Sequence, residues 1–143
     1  MTSETLRQEI LTRDNNRCRA CGFSDTLTIE VDHIVPRTLN GSDDSDNLQA
    51  LCHFCNNVKG NVLIDSLPIR DAIVGFGNQE EITENRLNFQ DHVANKRQQQ
   101  IDVLISQARD WKSTGTRGLI IKRRLDKLTT SGISDKIMAA IKQ

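Results

Sequence analysis

The sequence predicts an α+β protein, a small zinc-stapled domain of two strands and a helix followed by an α-helical C-terminal extension. Three observations carry that class. Cys18-x-x-Cys21 and Cys52-x-x-Cys55 repeat one spacing, 30 residues apart. Between them Leu27, Ile29 and Val31 alternate with Thr28, Glu30 and Asp32, the period of a half-buried strand. From about Glu80 onward, Ile101, Leu104, Ile105, Ala108 and Trp111 recur at helical spacing.

Leu6, Ile10 and Leu11 place a short amphipathic helix at about 3–16, with Thr2 or Ser3 as its cap. Cys18-Arg-Ala-Cys21-Gly22 is a tight turn. The strand that follows runs into Asp32-His33-Ile34-Val35 and stops at Pro36. A polar loop of turn formers, 40–46, leads to a short return strand, 47–51. Residues 52–60 read as a turn entering a short helix, with Gly60 near its end.

Composition shifts after Asp65, so 1–65 and 66–143 are read as two regions. Ser66-Leu67-Pro68 suits a helix start, interrupted at Gly75 and Gly77. The long helix spans about 80–112 and is expected to break at Gly115 and Gly118. A basic helix, about 119–128, carries Ile121, Leu125 and Leu128 on one face. A last helix is expected after a Ser134 cap. The long helix's apolar stripe suits internal packing better than a dimer interface.

The 143 residues exclude a large multidomain enzyme. Aromatics are scarce: four Phe, one Trp and no Tyr. Cohesion in the first region must therefore come from elsewhere, and the cysteines suggest where. No stretch approaches the roughly 20 apolar residues of a membrane span. The N-terminus lacks a signal peptide's apolar core, so a cytoplasmic protein without membrane contact is expected. Net charge is zero overall, but residues 1–65 hold 6 Lys/Arg against 10 Asp/Glu. From Arg109 onward there are 9 basic and 3 acidic residues. A basic tail on an acidic head suits a polyanion partner, and a positively biased solvated surface is the plainer alternative.

A two-residue gap lets both thiolates of a turn meet one ion, and two such turns complete a tetrahedron. Two disulfides or four free thiols are the alternatives. Without an export signal, zinc on Cys18, Cys21, Cys52 and Cys55 is favoured. A four-thiolate site is closed, hence structural. Phe23 and Phe54, each beside a knuckle, are expected to pack around it.

Between the knuckles lies a polar constellation. Asp32 and Asn56 offer oxygen donors suited to magnesium or manganese. His33 beside them is able to take a proton from an attacking water. Singly, each has a bland reading as a turn former, a partly buried ring or a helix cap. Together, Asp32-His33-Ile34-Val35-Pro36, Asn47-Leu48-Gln49 and Leu51-Cys52-x-x-Cys55-Asn56-x-x-Lys59-Gly60 form a series, wrapped by the Cys18/Cys21 knuckle. That series resembles the HNH endonuclease family over about residues 15–61.

The resemblance implies a ββα-metal nuclease gripping one catalytic divalent ion, Mg²⁺ or Mn²⁺, beside a structural Zn²⁺. It implies His33 as general base, Asp32 as metal ligand and Asn47 as the scaffold residue that ties down the loop. Asn56 stands where the family often has a metal-binding histidine, making this an HNN variant. His53 reads as a surface or second-sphere residue and His92 as structural. The implied reaction is hydrolysis of DNA, double-stranded by preference, giving 5′-phosphate and 3′-hydroxyl ends. One such site cuts one strand, so cutting a duplex needs two events or a homodimer. Arg37, Lys59, Lys122, Arg123, Arg124 and Lys127 are candidate phosphate contacts. Restriction, phage or mobile-element roles all fit, restriction slightly best. The alternatives are a non-catalytic zinc module binding nucleic acid or protein, and an RNA-directed nuclease.

Overall fold

The structure is a computed structural model and describes residues 3–64, 78–110, 115–130 and 132–141. The chain falls into two compact units, Met1–Ala94 and Asn95–Gln143. Several sequence expectations lie outside the described residues: the Thr2 cap, the boundary at Asp65, the start at Ser66-Leu67-Pro68, the interruptions at Gly75 and Gly77, and Trp111.

The first unit opens with α1 (Ser3–Arg13), which buries Ile10 and Leu11. It ends in a left-handed turn, Asn15 at φ 57° and Asn16 at φ 52°, where a short polar side chain is tolerated better than a bulky one. Strands β1 (Ile29–His33) and β2 (Leu48–Cys52) pair antiparallel, from Ile29 opposite Cys52 to His33 opposite Leu48. Two strands leave many backbone groups unpaired, and buried ones must find partners. Side chains from α1 and the turn after it supply them. The Asp14 carboxylate accepts from Ala50 N at 2.8 Å, Arg13 donates to Leu48 O at 2.6 Å, and Arg7 donates to Ile29 O at 2.8 Å. β2 is buried along its whole length.

Helix α2 (His53–Lys59) follows β2 without a linker, its first turn capped by the Cys52 thiol, which accepts from Cys55 N. Gly60 at φ 52° ends it. In the loop between the strands, a Cβ on Gly41 would lie 1.7 Å from Val35 O and 2.9 Å from Asn47 Nδ2. Only glycine lets the chain pass there.

Helix α3 (Gln79–Asp110) starts in a reciprocal cap: Glu81 N donates to Asn78 Oδ1 at 2.9 Å, and Asn78 N to Glu81 Oε2 at 3.3 Å. Its first half buries Ile82, Phe89 and Val93 within the first unit.

The second unit holds the remaining turns of α3 with α4 (Gly115–Leu128) and α5 (Ile133–Ile141). Leu104, Ala108, Ile121, Leu125 and Met138 form its core, edged by Ile101, Leu128, Ile137 and Ile141. The long helix's stripe thus packs internally. Two expectations are corrected. Gly118 does not break a helix; it lies buried inside α4, where burial within a packed helix outweighs a propensity penalty of about 1 kcal/mol. Ser134 is not the cap of α5 but its second residue, buried, with its hydroxyl donating to Asp126 of α4. Among the described residues no helix is long and apolar enough to cross a membrane.

Candidate active site and metal centre

The two knuckles meet. One ligand atom from each of Cys18, Cys21, Cys52 and Cys55 lies within 4.8 Å of the others, and all four residues are buried free cysteines. Cys21 Sγ and Cys52 Sγ are 3.7 Å apart. A metal–sulfur bond of about 2.3 Å in a tetrahedron sets sulfur–sulfur edges of about 3.8 Å. The donor set therefore has the size and softness of a tetrahedral thiolate metal site. Mutual hydrogen bonding splits the thiols. Contacts from Cys18 draw Cys21 down to about 7 and pull Cys52 down as well, while burial pushes Cys18 up and its neighbours push Cys55 up.

Helix α3 closes over this cluster. Asn85 donates to Cys21 O at 3.2 Å, and Arg86 Nη2 lies 3.7 Å from Cys52 Sγ. The Arg86 guanidinium sits 5.3 Å from the Phe23 ring and 4.9 Å from the Phe54 ring, within cation–π range. Both aromatics thus pack at the knuckles, as expected of them, and Arg86 brings positive charge to thiolates that carry the opposite sign.

The polar constellation forms at the far end of β1 and along α2. Alternation turns Asp32 and His33 to opposite faces. Asp32 Oδ2 accepts from Gln49 Nε2 at 3.2 Å and faces Lys59 Nζ at 3.1 Å. Lys59 also donates to His33 O at 2.8 Å and is wholly buried. Its ammonium braces Asp32 and the strand end, a position that removes it from the surface phosphate contacts expected of it.

On the other face, His33 Nε2 lies 2.7 Å from Asp43 Oδ1, and Arg37 reaches the same oxygen at 2.8 Å. A carboxylate only accepts, so Nε2 is the donor in this contact, and in a neutral ring the lone pair then lies on Nδ1. The longer 3.3 Å approach of Arg37 Nε to Nε2 is subordinate. The His33 and Arg37 partners hold Asp43 below the usual carboxylate range. Asn47 spans the loop: its Oδ1 accepts from Val35 N at 2.9 Å, and its Nδ2 donates to Val35 O at 3.1 Å and Ser42 O at 2.8 Å.

Asn56, on α2, does not bond Asp32. Its Nδ2 donates to Glu30 Oε2 at 2.5 Å, and Glu30 Oε1 takes His53 Nδ1 at 2.9 Å. Two rungs thus run from β1 to α2, Glu30 to Asn56 and Asp32 to Lys59. Strand residues two apart share a face, as do helix residues three apart, so the Asp32 carboxylate and the Asn56 amide sit on adjacent rungs. A cleft of about 750 Å³ has Glu30, His33, Arg37, Asp43 and His53 in its lining.

In the second unit the candidate basic residues divide. Lys122 is bridged to Asp126 at 3.2 Å and to Asp135 at 3.3 Å, whereas Arg123, Arg124 and Lys127 lie exposed on α4. Sequence reasoning missed Glu30, Asp43, Gln49 and Arg86. Glu30 and Gln49 left signals, the first standing two residues before Asp32 in an alternating strand, the second inside the Asn47-Leu48-Gln49 segment.

The HNH endonuclease family model matches residues 18–62. Over 86 residues, 59% of this chain, the sequence is 37% identical to a CRISPR-associated endonuclease Cas9 of Corynebacterium diphtheriae, covering 8% of that protein. Over 60 residues, 38% of this chain, it is 40% identical to a probable HNH endonuclease of Lactococcus phage SK1, covering 64% of it. The chain therefore spans less than two thirds of either relative. No solved structure gives a significant match. The paired thiol turns and the β1–β2–α2 unit they enclose are thus the part of the chain, residues 18–62, that is similar to the HNH endonuclease family.

Proposed function

We propose that this chain is a metal-dependent endonuclease that hydrolyses DNA phosphodiester bonds, using His33 as general base beside one divalent ion. The observation that carries the reading is the 2.7 Å contact from His33 Nε2 to Asp43. It leaves the Nδ1 lone pair for a water proton, on a residue that lines the cleft and adjoins Asp32 in the chain. Proton transfer by such a base is worth roughly 10²–10⁴-fold in rate.

Asp32 Oδ1 and Asn56 Oδ1 are the atoms suited to hold the ion. The opposite atom of each group is engaged, by Gln49 and Lys59 or by Glu30. Two oxygen donors favour Mg²⁺ or Mn²⁺ over softer metals. Bound there, the ion supplies charge stabilisation at the phosphoryl and departing oxygens. The chain's own part is positional. Lys59 and Gln49 fix Asp32, Asn47 fixes the loop under His33, and the cysteine cluster, holding zinc, fixes β2 against α2. The exposed Arg37, Arg123, Arg124 and Lys127 supply phosphate contacts, those on α4 from the helical extension.

Plasmid nicking with added Mg²⁺ or Mn²⁺ tests the reading. The intact chain nicks only with metal. His33→Ala lowers the rate at least 100-fold while zinc content and far-UV circular dichroism stay the same. Equal nicking by both chains, or none by either, rules the reading out.

A further inference from the structure

The inference rests on the nuclease reading and concerns how the ion's amide ligand is oriented. We propose that Glu30 is a positioning residue, holding the amide nitrogen of Asn56 so that the amide oxygen is the atom presented to the divalent cation.

An asparagine has two unlike ends, and only its oxygen serves a hard cation. A half-turn of the amide would present NH₂ instead and abolish the site. The histidine often found at this place in related sequences has no such ambiguity of oxygen against nitrogen, so an asparagine there needs an orienting partner. Glu30 Oε2 lies 2.5 Å from Asn56 Nδ2. Because a carboxylate only accepts, this contact forms with nitrogen toward Glu30 and in no other way.

Glu30 is itself fixed. Its second oxygen takes His53 Nδ1 at 2.9 Å, and His53 Nε2 meets Asn57 Nδ2 at 3.0 Å. The neutral His53 tautomer with its proton on Nδ1 satisfies both contacts. Residues 53, 56 and 57 stand at i, i+3 and i+4, one helix face turned to one strand carboxylate.

Two plainer roles fit less well. Glu30 does not cap α2, because the Cys52 thiol does. It is less available as a ligand than Asp32, because each of its oxygens already has a partner whereas Asp32 Oδ2 alone takes both of that residue's partners. Carboxylates that hold a ligand from outside the coordination sphere typically change metal affinity 10- to 100-fold when removed.

The test is Mn²⁺ binding to the zinc-loaded full chain, followed by electron paramagnetic resonance of the free ion. Glu30→Ala weakens binding about 10- to 100-fold, with zinc content and circular dichroism unchanged. Glu30→Gln, whose amide oxygen still accepts from Asn56, stays close to the parent chain. A Glu30→Ala/Asn56→Ala double variant binds no more weakly than Asn56→Ala alone. Should Glu30→Ala lose its fold, Glu30→Met, similar in length and without an acceptor, takes its place. Parent-like affinity in the variant lacking an acceptor overturns the proposal. So does a double variant showing the summed losses, since Glu30 would then act without Asn56. A chain that binds no Mn²⁺ beyond its zinc overturns this proposal and the nuclease reading together. Glu30-dependent Mn²⁺ binding without any nicking supports the proposal and removes only the nuclease reading.

Discussion

Both units bury apolar side chains, but among the described residues only the first adds polar ties that cross its interior. In the first, the interior is crossed by polar ties: four thiols at one point, a wholly buried Lys59 against Asp32, and α1 side chains on the sheet's backbone groups. In the second, five apolar residues from three helices make the core. The Lys122 ion pairs there, to Asp126 and Asp135, involve exposed carboxylates. The difference teaches where chemistry can reside. A unit crossed by polar ties fixes the Asp32 carboxylate, the Asn56 amide and the His33 imidazole, each through its own partner, in partial burial. A unit organised by an apolar stripe offers a nucleic acid only its outer face.

The largest expected effect tests how far the first unit depends on its cysteine cluster in addition to its buried apolar residues. Cys21→Ala removes one of four ligands, and structural zinc contributes roughly 10–16 kcal/mol of apparent binding energy that is also folding energy. Zinc is lost and the first unit unfolds, while α4 and α5 keep their helicity. Hydrogen exchange of the β2 amides compared with those of α4 checks it. Protected β2 amides in a zinc-free chain would show that the polar ties suffice alone.

The reciprocal change is smaller. Leu125 is fully buried in the second core, and Leu125→Ala costs about 2–5 kcal/mol in comparable cores. The urea midpoint of the helical unit falls accordingly, with zinc and Mn²⁺ binding untouched. Loss of zinc from this variant would erase the distinction between the units.

How much of this was legible beforehand follows the same division. The strands, α2 and the cysteine cluster were readable because alternation, a repeated two-residue gap and a terminating glycine are local signals. The pairing of Leu104 and Ala108 with Ile121, Leu125 and Met138 was readable in kind, since helical stripes seek one another. What stayed hidden was who touches whom among polar groups. Asp43 and Arg37 converge on His33 across a loop, and Arg86 reaches the thiols from the other side of residues 65–77. No spacing rule encodes those meetings. Asn56 was expected beside Asp32, but its nitrogen turns to Glu30, because an amide next to two carboxylates follows the geometry of the helix face. Gly118 and Ser134 were misjudged for one reason: small residues signal helix ends in isolation, yet they are also what a crowded helix interior admits.

The smallest effect probes the surface of the second unit. The Ser134 hydroxyl, and after it Lys122, holds the Asp126 carboxyl below its ordinary value of 3.8. A depressed carboxyl contributes stability that is present above its unfolded value and lost as pH falls through the folded one. The helical unit should therefore be slightly more stable than its Asp126→Asn variant from neutral pH down to about pH 5, with the gap closing below about pH 4. The gap is small because exposed ion pairs are screened by water and salt. Following the exchange of α4 and α5 amides separates this from the first unit, where acid would protonate the cysteines and release a metal held by them. A gap that stays constant down to pH 3 would mean that Asp126 acts through uncharged hydrogen bonding rather than charge. The second unit would then owe nothing measurable to its ion pairs, and the contrast with the first would be sharper still.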